Sequence, residues 1–500
     1  MRPLRLFLLL LTTGTTLLPA MVFGEEHVVN INRAVDGPGD EHSNAKKTFD
    51  DDSLVTLESQ RSKGLELPNP YISFTSLGPN TSLSRQGGWP LYSDGLLGDL
   101  FGVRGQLERD GVFINGGVDT ILGWNTTGGL ATDLYGGSLL SLGLTLDTYR
   151  AFDLEGGTLF ANYQEWTSFG GPFGIPQSID ATGAYDTSIG QLPQTTTLNQ
   201  LSQLWYDQSF GSTGLSIRFG KQDANLLFST IAGAASFINN NVGYPSTLNP
   251  FLPSYPEMAM GLVTSWNFND TIVGRFGWFD GSNGALDPAT GGYIFSTGSR
   301  GPETFFNNQG HWFFITEWTY KWIVDGQLPG SISAAGWLQT GKSGTAGRSK
   351  DGVEDVPGWY VYGSQTLWTP DASVAQEGGG VIAFGQLGWS DPSKNPTNWA
   401  VIAGISATGV IPGRPADSLG ILGGYSGFSD NPDIYLSAPT KQMDGQAGGS
   451  ESYLEAYYLY QATPWLSIQP GIEWFSTPSG GDPASLSDAL VFYLRIASTF

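Results

Sequence analysis

The 500-residue sequence contains no cysteine and three histidines, so several kinds of active site are excluded from the start. Without cysteine there is no disulfide framework, no thiolate metal site and no cysteine nucleophile. His27 and His42 lie in a polar N-terminal stretch, which leaves His311 alone in the remainder. One histidine cannot build a multi-histidine metal site, and it offers Ser-His catalysis a single candidate base. We therefore predict that the protein is not an enzyme and holds no metal and no cofactor.

Charged residues are also scarce, at 14% of the chain, whereas ordinary globular domains contain about 25%. The 46 acidic and 23 basic residues give a formal net charge of -23. A chain this acidic repels phosphates, so we predict no nucleic-acid partner. Glycine and aromatic residues are abundant instead, with 70 Gly, 16 Trp, 20 Tyr and 28 Phe. This composition does not fit an average cytosolic enzyme.

The N-terminal residues predict export from the cytoplasm. Arg2 and Arg5 precede the apolar run 6–11, and small residues precede Glu25, which is the pattern of a secretory signal covering residues 1–24. A membrane-anchoring helix is the alternative, because residues 6–24 carry no charge, but threonines and a glycine dilute its centre. Residues 25–94 are acidic and lack a sustained apolar period, which predicts a flexible segment. Residues 95–500 form the predicted folded domain.

The folded domain contains alternating apolar and polar residues rather than long apolar runs. Leu140, Leu142, Leu144 and Leu146 occupy every second position, and a period of two places them on one face of a strand. No apolar window of about eighteen residues, the length of a transmembrane helix, follows residue 90. We predict sixteen strands of this kind, at residues 112–124, 136–147, 157–168, 200–209, 213–222, 258–268, 271–280, 311–324, 330–339, 357–368, 379–390, 397–408, 419–427, 451–462, 465–475 and 487–500.

Short and long connections between these strands tend to alternate. The fourteenth and fifteenth strands are joined by residues 463–464, whereas the fifth and sixth are separated by residues 223–257; residues 391–396 are a short exception. Antiparallel strands place successive connections at opposite ends of the sheet, so one end carries short connections and the other carries long ones. This asymmetry is typical of an outer-membrane barrel. We predict an all-β fold, a transmembrane antiparallel β-barrel of about 16 strands of the porin type.

Aromatic residues cluster toward the ends of the predicted strands, as in the interfacial girdles of a membrane barrel. The alternative is that they fill the core of a soluble β-sandwich or propeller, which also uses alternating strands. The girdle candidates are Trp278, Phe279, Trp318, Tyr320, Trp322, Trp359, Tyr360, Trp389, Trp399, Tyr457, Tyr458, Trp465 and Trp474.

The folded domain contains a series of short motifs at residues 97–104, 107–112, 198–201 with Trp205, 218–224, 409–417, 455–460, 463–466, 469–470 and 488–490 and at the terminal Phe500. In their order and spacing, from residue 97 to residue 500, the chain resembles the carbohydrate-selective porins of the OprB family. That resemblance implies a water-filled barrel in the outer membrane of a Gram-negative-type bacterium, surrounded by lipid, through which small carbohydrates such as monosaccharides diffuse passively. An oligomer of identical chains is compatible with it. Leu100-Phe101 and the acidic segment depart from the family pattern.

Strand parity predicts which side chains line the lumen of such a barrel. If Leu215, Ile217 and Phe219 face lipid, then Arg218 faces inward. An arginine at the lipid midplane would cost about 2–4 kcal/mol, which favours the inward orientation. Each charged candidate contacts the solute or, as the alternative, braces the wall in an ion pair, while Trp205 offers a flat surface for a pyranose ring. The candidates are Arg218, Arg275, Arg495, Asp207, Glu317, Glu455, Glu473 and Trp205.

Other functions stay open on the sequence alone. The channel could be general or selective for another solute, and the acidic excess favours neutral or cationic ones. A barrel protease or lipase would need a base, for which the barrel offers His311. A secreted β-protein that binds or hydrolyses polysaccharide with paired carboxylates is the remaining alternative.

Overall fold

A computed structural model describes residues 95–98, 102–170, 182, 184, 197–282, 301–308, 310–343, 353–370, 379–431, 434, 448–480 and 486–500. Every described residue belongs to one compact unit, which lies within Lys63–Phe500. The predicted signal at residues 1–24 and the predicted acidic segment at residues 25–94 therefore lie outside the described residues.

Sixteen antiparallel strands form one closed barrel, in which each strand pairs with its neighbours in sequence and β1 pairs with β16. This confirms the predicted fold class and strand number. The predicted limits differ most at β9 and β10, each of which is four residues longer at one end. The strands are β1 (Val112–Thr127), β2 (Leu134–Asp147), β3 (Gly157–Gly170), β4 (Thr197–Ser209), β5 (Leu215–Gln222), β6 (Ala259–Asn267), β7 (Ile272–Asp280), β8 (Trp312–Val324), β9 (Leu328–Ser343), β10 (Val353–Trp368), β11 (Gly380–Ser390), β12 (Thr397–Thr408), β13 (Ser418–Phe428), β14 (Ser450–Thr463), β15 (Leu466–Ser476) and β16 (Ala489–Thr499).

Three short α-helices accompany the barrel within the described residues: α1 (Val103–Arg109), α2 (Thr148–Phe152) and α3 (Pro302–Phe306). α2 begins after Asp147, whose carboxylate accepts the N–H groups of Tyr149 and Arg150 at 2.9 and 3.3 Å. This satisfies donors that have no partner within the helix. Of the helices in the part of the chain that is described, none is long and apolar enough to cross a membrane.

The two faces of the barrel wall differ as the alternation predicts. Leu142 and Phe219 are 41% and 40% exposed on the outside, whereas Leu139 and Arg218 are buried on the inside. Exposed apolar side chains on the outer wall are the surface that a barrel needs in lipid.

The structure places some of the predicted girdle residues on the outer wall, but the girdle prediction is wrong for others, which are buried inside. Trp318, Tyr320, Trp399 and Tyr458 are exposed on the outer wall. Adjacent residues of a strand face opposite sides of the wall, so a cluster of neighbouring aromatic residues contains both outward and inward side chains. The buried members of the predicted girdles point inward. They are Phe279, Tyr360 and Tyr457.

The connections at the two ends of the barrel differ in length. One end carries short turns, including residues 210–214, 268–271, 325–327 and 464–465, and it also holds the start of β1 and the end of β16. The opposite end carries residues 171–196, 223–258, 281–311 and 429–449, with short exceptions at residues 128–133 and 391–396.

The turn between β8 and β9 shows how sequence sets the short end. Asp325 and Gly326 both have positive φ, 52° and 71°, and the N–H of Gln327 donates to the carbonyl of Val324 at 3.1 Å. Two positive-φ residues in this position twist the chain in the sense that the flanking strands require, and the Asp-Gly pair is favoured there.

A second turn, residues 409–417 between β12 and β13, is held by an ion pair. The guanidinium of Arg414 donates to both carboxylate oxygens of Asp417 at 2.8 and 2.6 Å, and the Tyr458 hydroxyl and the Gln461 N–H donate to the same carboxylate. Burial alone would raise the pKa of Asp417, but these hydrogen bonds outweigh it and hold the pKa below its ordinary value.

We expect Asp417→Asn to lower the thermal stability of the barrel near neutral pH and to matter less in acid. Because the folded-state pKa of Asp417 is lowered, its carboxylate stabilises the fold above the ordinary value of 3.8. That contribution is lost as the pH falls through the lowered pKa. Thermal unfolding of both proteins at about pH 6 and about pH 2 measures the effect. An equal difference between them at both pH values would contradict the prediction.

Candidate functional site

The connection between β5 and β6, residues 223–258, folds into the barrel; we call it the inward segment. Its Phe228 and Phe237 are fully buried. The ring of Phe237 packs edge-on against Phe384 of β11 at 5.6 Å and against Tyr457 of β14 at 4.7 Å, measured between ring centroids. Phe237 therefore covers the inner wall on the side opposite β5 and β6, while the end of the segment packs against β2 and β3 through Tyr255.

Asp223, the first residue of the inward segment, is hydrogen-bonded to the other end of the segment. Its carboxylate accepts the hydroxyl of Ser254 at 2.8 Å and the N–H of Asn225 at 2.9 Å. Burial raises the pKa of Asp223 to about 6, although these hydrogen bonds oppose the increase. The two ends of the segment are thus fixed near the entry to β6.

Glu455, a sequence-predicted lumen residue on β14, attaches the middle of the inward segment to the wall. It accepts the backbone N–H groups of Ile238 and Asn239 at 2.9 and 3.0 Å, and the hydroxyl of Tyr493 at 2.8 Å. Burying a backbone N–H without a partner would cost about 1–3 kcal/mol. Glu473, another predicted residue, is buried directly opposite Glu455 on β15.

Glu317 on β8 also attaches the inward segment to the wall, at a point nearer the start of the segment. It accepts the N–H of Ser229 at 2.9 Å and the hydroxyls of Tyr360 and Tyr362 at 2.6 and 3.1 Å. The guanidinium of Arg275 on β7 approaches it at 3.4 Å. The structure thus brings predicted Arg275 and Glu317 together, and it gives Glu317 partners that sequence parity did not indicate.

Arg218, Asp207 and Trp205 form a second group on β4 and β5. The Nε of Arg218 donates to Asp207 at 3.0 Å, and its guanidinium lies 3.8 Å from the centre of the Trp205 ring. Phe160, on the other neighbouring strand, lies 5.0 Å from the same ring. Trp205 is 4% exposed, so these two neighbours cover the surface that the sequence assigned to a pyranose ring.

Arg495 on β16 pairs with Asp119 on β1 and so bridges the seam that closes the barrel. Its Nε lies 2.9 Å and its Nη2 lies 2.5 Å from Asp119 Oδ2. Asp119 is not among the residues predicted from the sequence, although it lies between Val118 and Thr120 in an alternating strand. Parity alone could have identified it as an inward-facing carboxylate.

Comparison with known proteins agrees with this architecture. The sequence profile of the carbohydrate-selective porin, OprB family, matches residues 139–500. Porin B of Pseudomonas aeruginosa is 21% identical over 337 residues, which are 60% of this chain and 68% of that protein.

Solved structures with similar barrels include Pseudomonas putida OprB at high pH, with a TM-score of 0.65, 19% identity and coverage of 82% of this chain and 99% of that one. The low-pH structure of the same protein gives a TM-score of 0.52 at 15% identity, covering 82% and 100%. At these identities the likeness establishes the fold. Because the family profile covers well over half of the chain, the protein belongs to the OprB family of carbohydrate-selective porins, and its strands cross the outer membrane as a barrel.

Proposed function

We propose that small carbohydrates such as monosaccharides diffuse through this porin along one arc of the lumen, from β16 through β1 to β7. Exposure of the charged lumen residues carries the proposal: 25% of the Arg275 side chain, 17% of Asp207 and 13% of Arg495 stay accessible. Glu317 and Glu455, on the side covered by the inward segment, are 0% and 1% exposed. Arg218 and Asp119, in the same arc, are 5% and 4% exposed. Solutes therefore meet Arg275, Asp207 and Arg495 first.

The chemistry of the arc suits sugar hydroxyls. A hydroxyl both donates and accepts, and the arc offers carboxylate acceptors and guanidinium donors within one narrow passage. In this proposal Trp205 positions Arg218 and does not itself stack a sugar. The buried tyrosines on the opposite wall, such as Tyr360 and Tyr453, serve the inward segment.

Single-channel recording in planar bilayers, with glucose, other sugars and different salts, tests the function. We expect discrete channels whose current is blocked by sugars. Absence of channels would refute the porin function of this chain. Permeation of sugars, amino acids and small anions according to size alone would instead favour a general channel.

We expect Arg218→Ala to change ion selectivity or sugar block, because it removes a guanidinium from the arc and leaves Asp207 without its counter-charge. The variant should keep the heat-stable electrophoretic mobility of a folded barrel. Reversal potential in a salt gradient and current block by glucose measure the change. Unchanged values for both would remove Arg218 from the constriction.

The remaining assignments follow from the same proposal. Passage is passive and involves no catalysis. Residues 1–24 act as an export signal, residues 25–94 form a flexible acidic segment, and the mature chain begins at Glu25. Exposed apolar residues such as Leu142 and Phe276 support contact with lipid on the outer wall. N-terminal sequencing and the mass of the native particle test the processing site and whether identical chains associate.

A further inference from the structure

Two arginines of the arc lie on strands separated by a single strand, and that strand carries no acid. Arg218 is on β5 and Arg275 is on β7, and β6 separates them. In the register Arg218 lies opposite Val263 and Arg275 lies opposite Ser265. The sequence of β6, Ala259–Asn267, contains no charged residue. Two positive charges therefore face the same part of the lumen.

Their charges are compensated less completely than that of Arg495. Arg495 contacts one oxygen of Asp119 through two nitrogens, at 2.9 and 2.5 Å. Arg275 reaches Glu317 through Nη1 at 3.4 Å, and Glu317 already accepts three shorter hydrogen bonds from Ser229, Tyr360 and Tyr362. The negative charge of Glu317 is thus shared among several donors.

Arg218 has a donor left over. Its Nε is bonded to Asp207, but its Nη1 is buried and has no hydrogen-bond partner among the described residues. The ring of Trp205 lies against the face of the guanidinium, so an acceptor must approach along the N–H edge, at a side chain that is 5% exposed in this structure. A buried donor without an acceptor is costly, so a solute oxygen that reaches it gains binding energy.

We propose that Arg218 and Arg275 form a subsite for a carboxylate, so that sugar acids bind in this channel more tightly than neutral sugars of similar size. The inference rests on the proposed solute path along the arc. A planar carboxylate accepts charge-assisted hydrogen bonds from guanidinium groups, which are stronger than those between neutral groups. Arg275, with a quarter of its side chain accessible, makes the first contact, and Arg218 supplies the second donor. The net charge of the whole chain is -23, but this part of the lumen presents two positively charged side chains.

Current block by gluconate and by glucose, titrated on the same channels, tests the proposal. In wild type we expect gluconate to half-block at a lower concentration than glucose at about 0.1 M salt, and the difference to shrink at about 1 M salt, where charges are screened. Arg275→Gln should raise the half-blocking concentration of gluconate about tenfold, the loss expected for one charge-assisted hydrogen bond. Glucose block should change much less.

Arg150→Gln is the matched control, since Arg150 lies on α2 at the short-turn end and pairs with Asp147 at 3.8 Å, outside the arc. It removes the same charge and should leave both half-blocking concentrations unchanged. Arg275→Lys keeps the charge without the planar guanidinium and should retain part of the gluconate block. Glucose block with no preference for gluconate, or equal loss of both in Arg275→Gln, would overturn the subsite while leaving the sugar channel standing. Absence of any channel would overturn both.

Discussion

Glu455→Ala is expected to open the channel. The substitution removes the acceptor of the Ile238 and Asn239 N–H groups, which lie at 2.9 and 3.0 Å from it. Each buried N–H left without a partner costs about 1–3 kcal/mol, enough to release this part of the inward segment from the wall. We expect a higher and noisier single-channel conductance and weaker discrimination among sugars, measured in planar bilayers.

Glu165→Ala provides the comparison, because Glu165 is an exposed carboxylate whose described partner is the hydroxyl of Tyr163 at 3.3 Å. It removes the same side chain and the same charge without touching the inward segment. Both variants should keep the heat-stable mobility of a closed barrel. If Glu455→Ala conducted and discriminated as wild type does, Glu455 would not hold the segment in place.

Asp119→Asn is expected to destabilise the closed barrel by about 3 kcal/mol, because it leaves the largely buried guanidinium of Arg495 without a counter-charge. The pair spans β1 and β16, so the loss acts at the seam where the sheet closes. The temperature at which the compact electrophoretic form disappears should fall. Ion selectivity should shift toward anions, since the lumen loses a negative charge.

Asp147→Asn is the control for this substitution. Asp147 forms a partly exposed pair with Arg150 at 3.8 Å, and such surface pairs contribute about 0–1 kcal/mol. Asparagine can still accept the N–H groups at the start of α2. A fall in thermal stability of the same size in both variants would contradict a special role for the seam pair.

The fold was predictable because apolar and polar residues alternate along the strands of a membrane barrel. Leu140 to Leu146 repeat with the period of a strand, and the same period recurs in β5 and β15. The helix α1 was not predicted, because its seven residues precede β1 without a helical stripe long enough to recognise. Strand ends also extended beyond the alternating residues at β9 and β10, where pairing with neighbours continues past the apolar pattern.

The candidate site was predictable only in part. Parity places Arg218 and Glu317 on the inner face, and the structure has both there. Whether such a residue meets solute or protein depends on the inward segment, whose path is decided by contacts between distant parts of the chain. One indication was present: Val273 and Phe279 share the face of Arg275, and apolar residues on an inner wall need apolar neighbours. Phe279 meets Phe228 of the inward segment.

The attachments of the inward segment also constrain the order of folding. Ile238 and its acceptor Glu455 are 217 residues apart in sequence, and Ser229 and Glu317 are 88 apart. Contacts between such distant residues form late, because the chain between them must be ordered first. The inward segment cannot bind Glu455 until β14 has joined the sheet. A newly assembling barrel therefore passes through a stage with a wider opening than the finished barrel has.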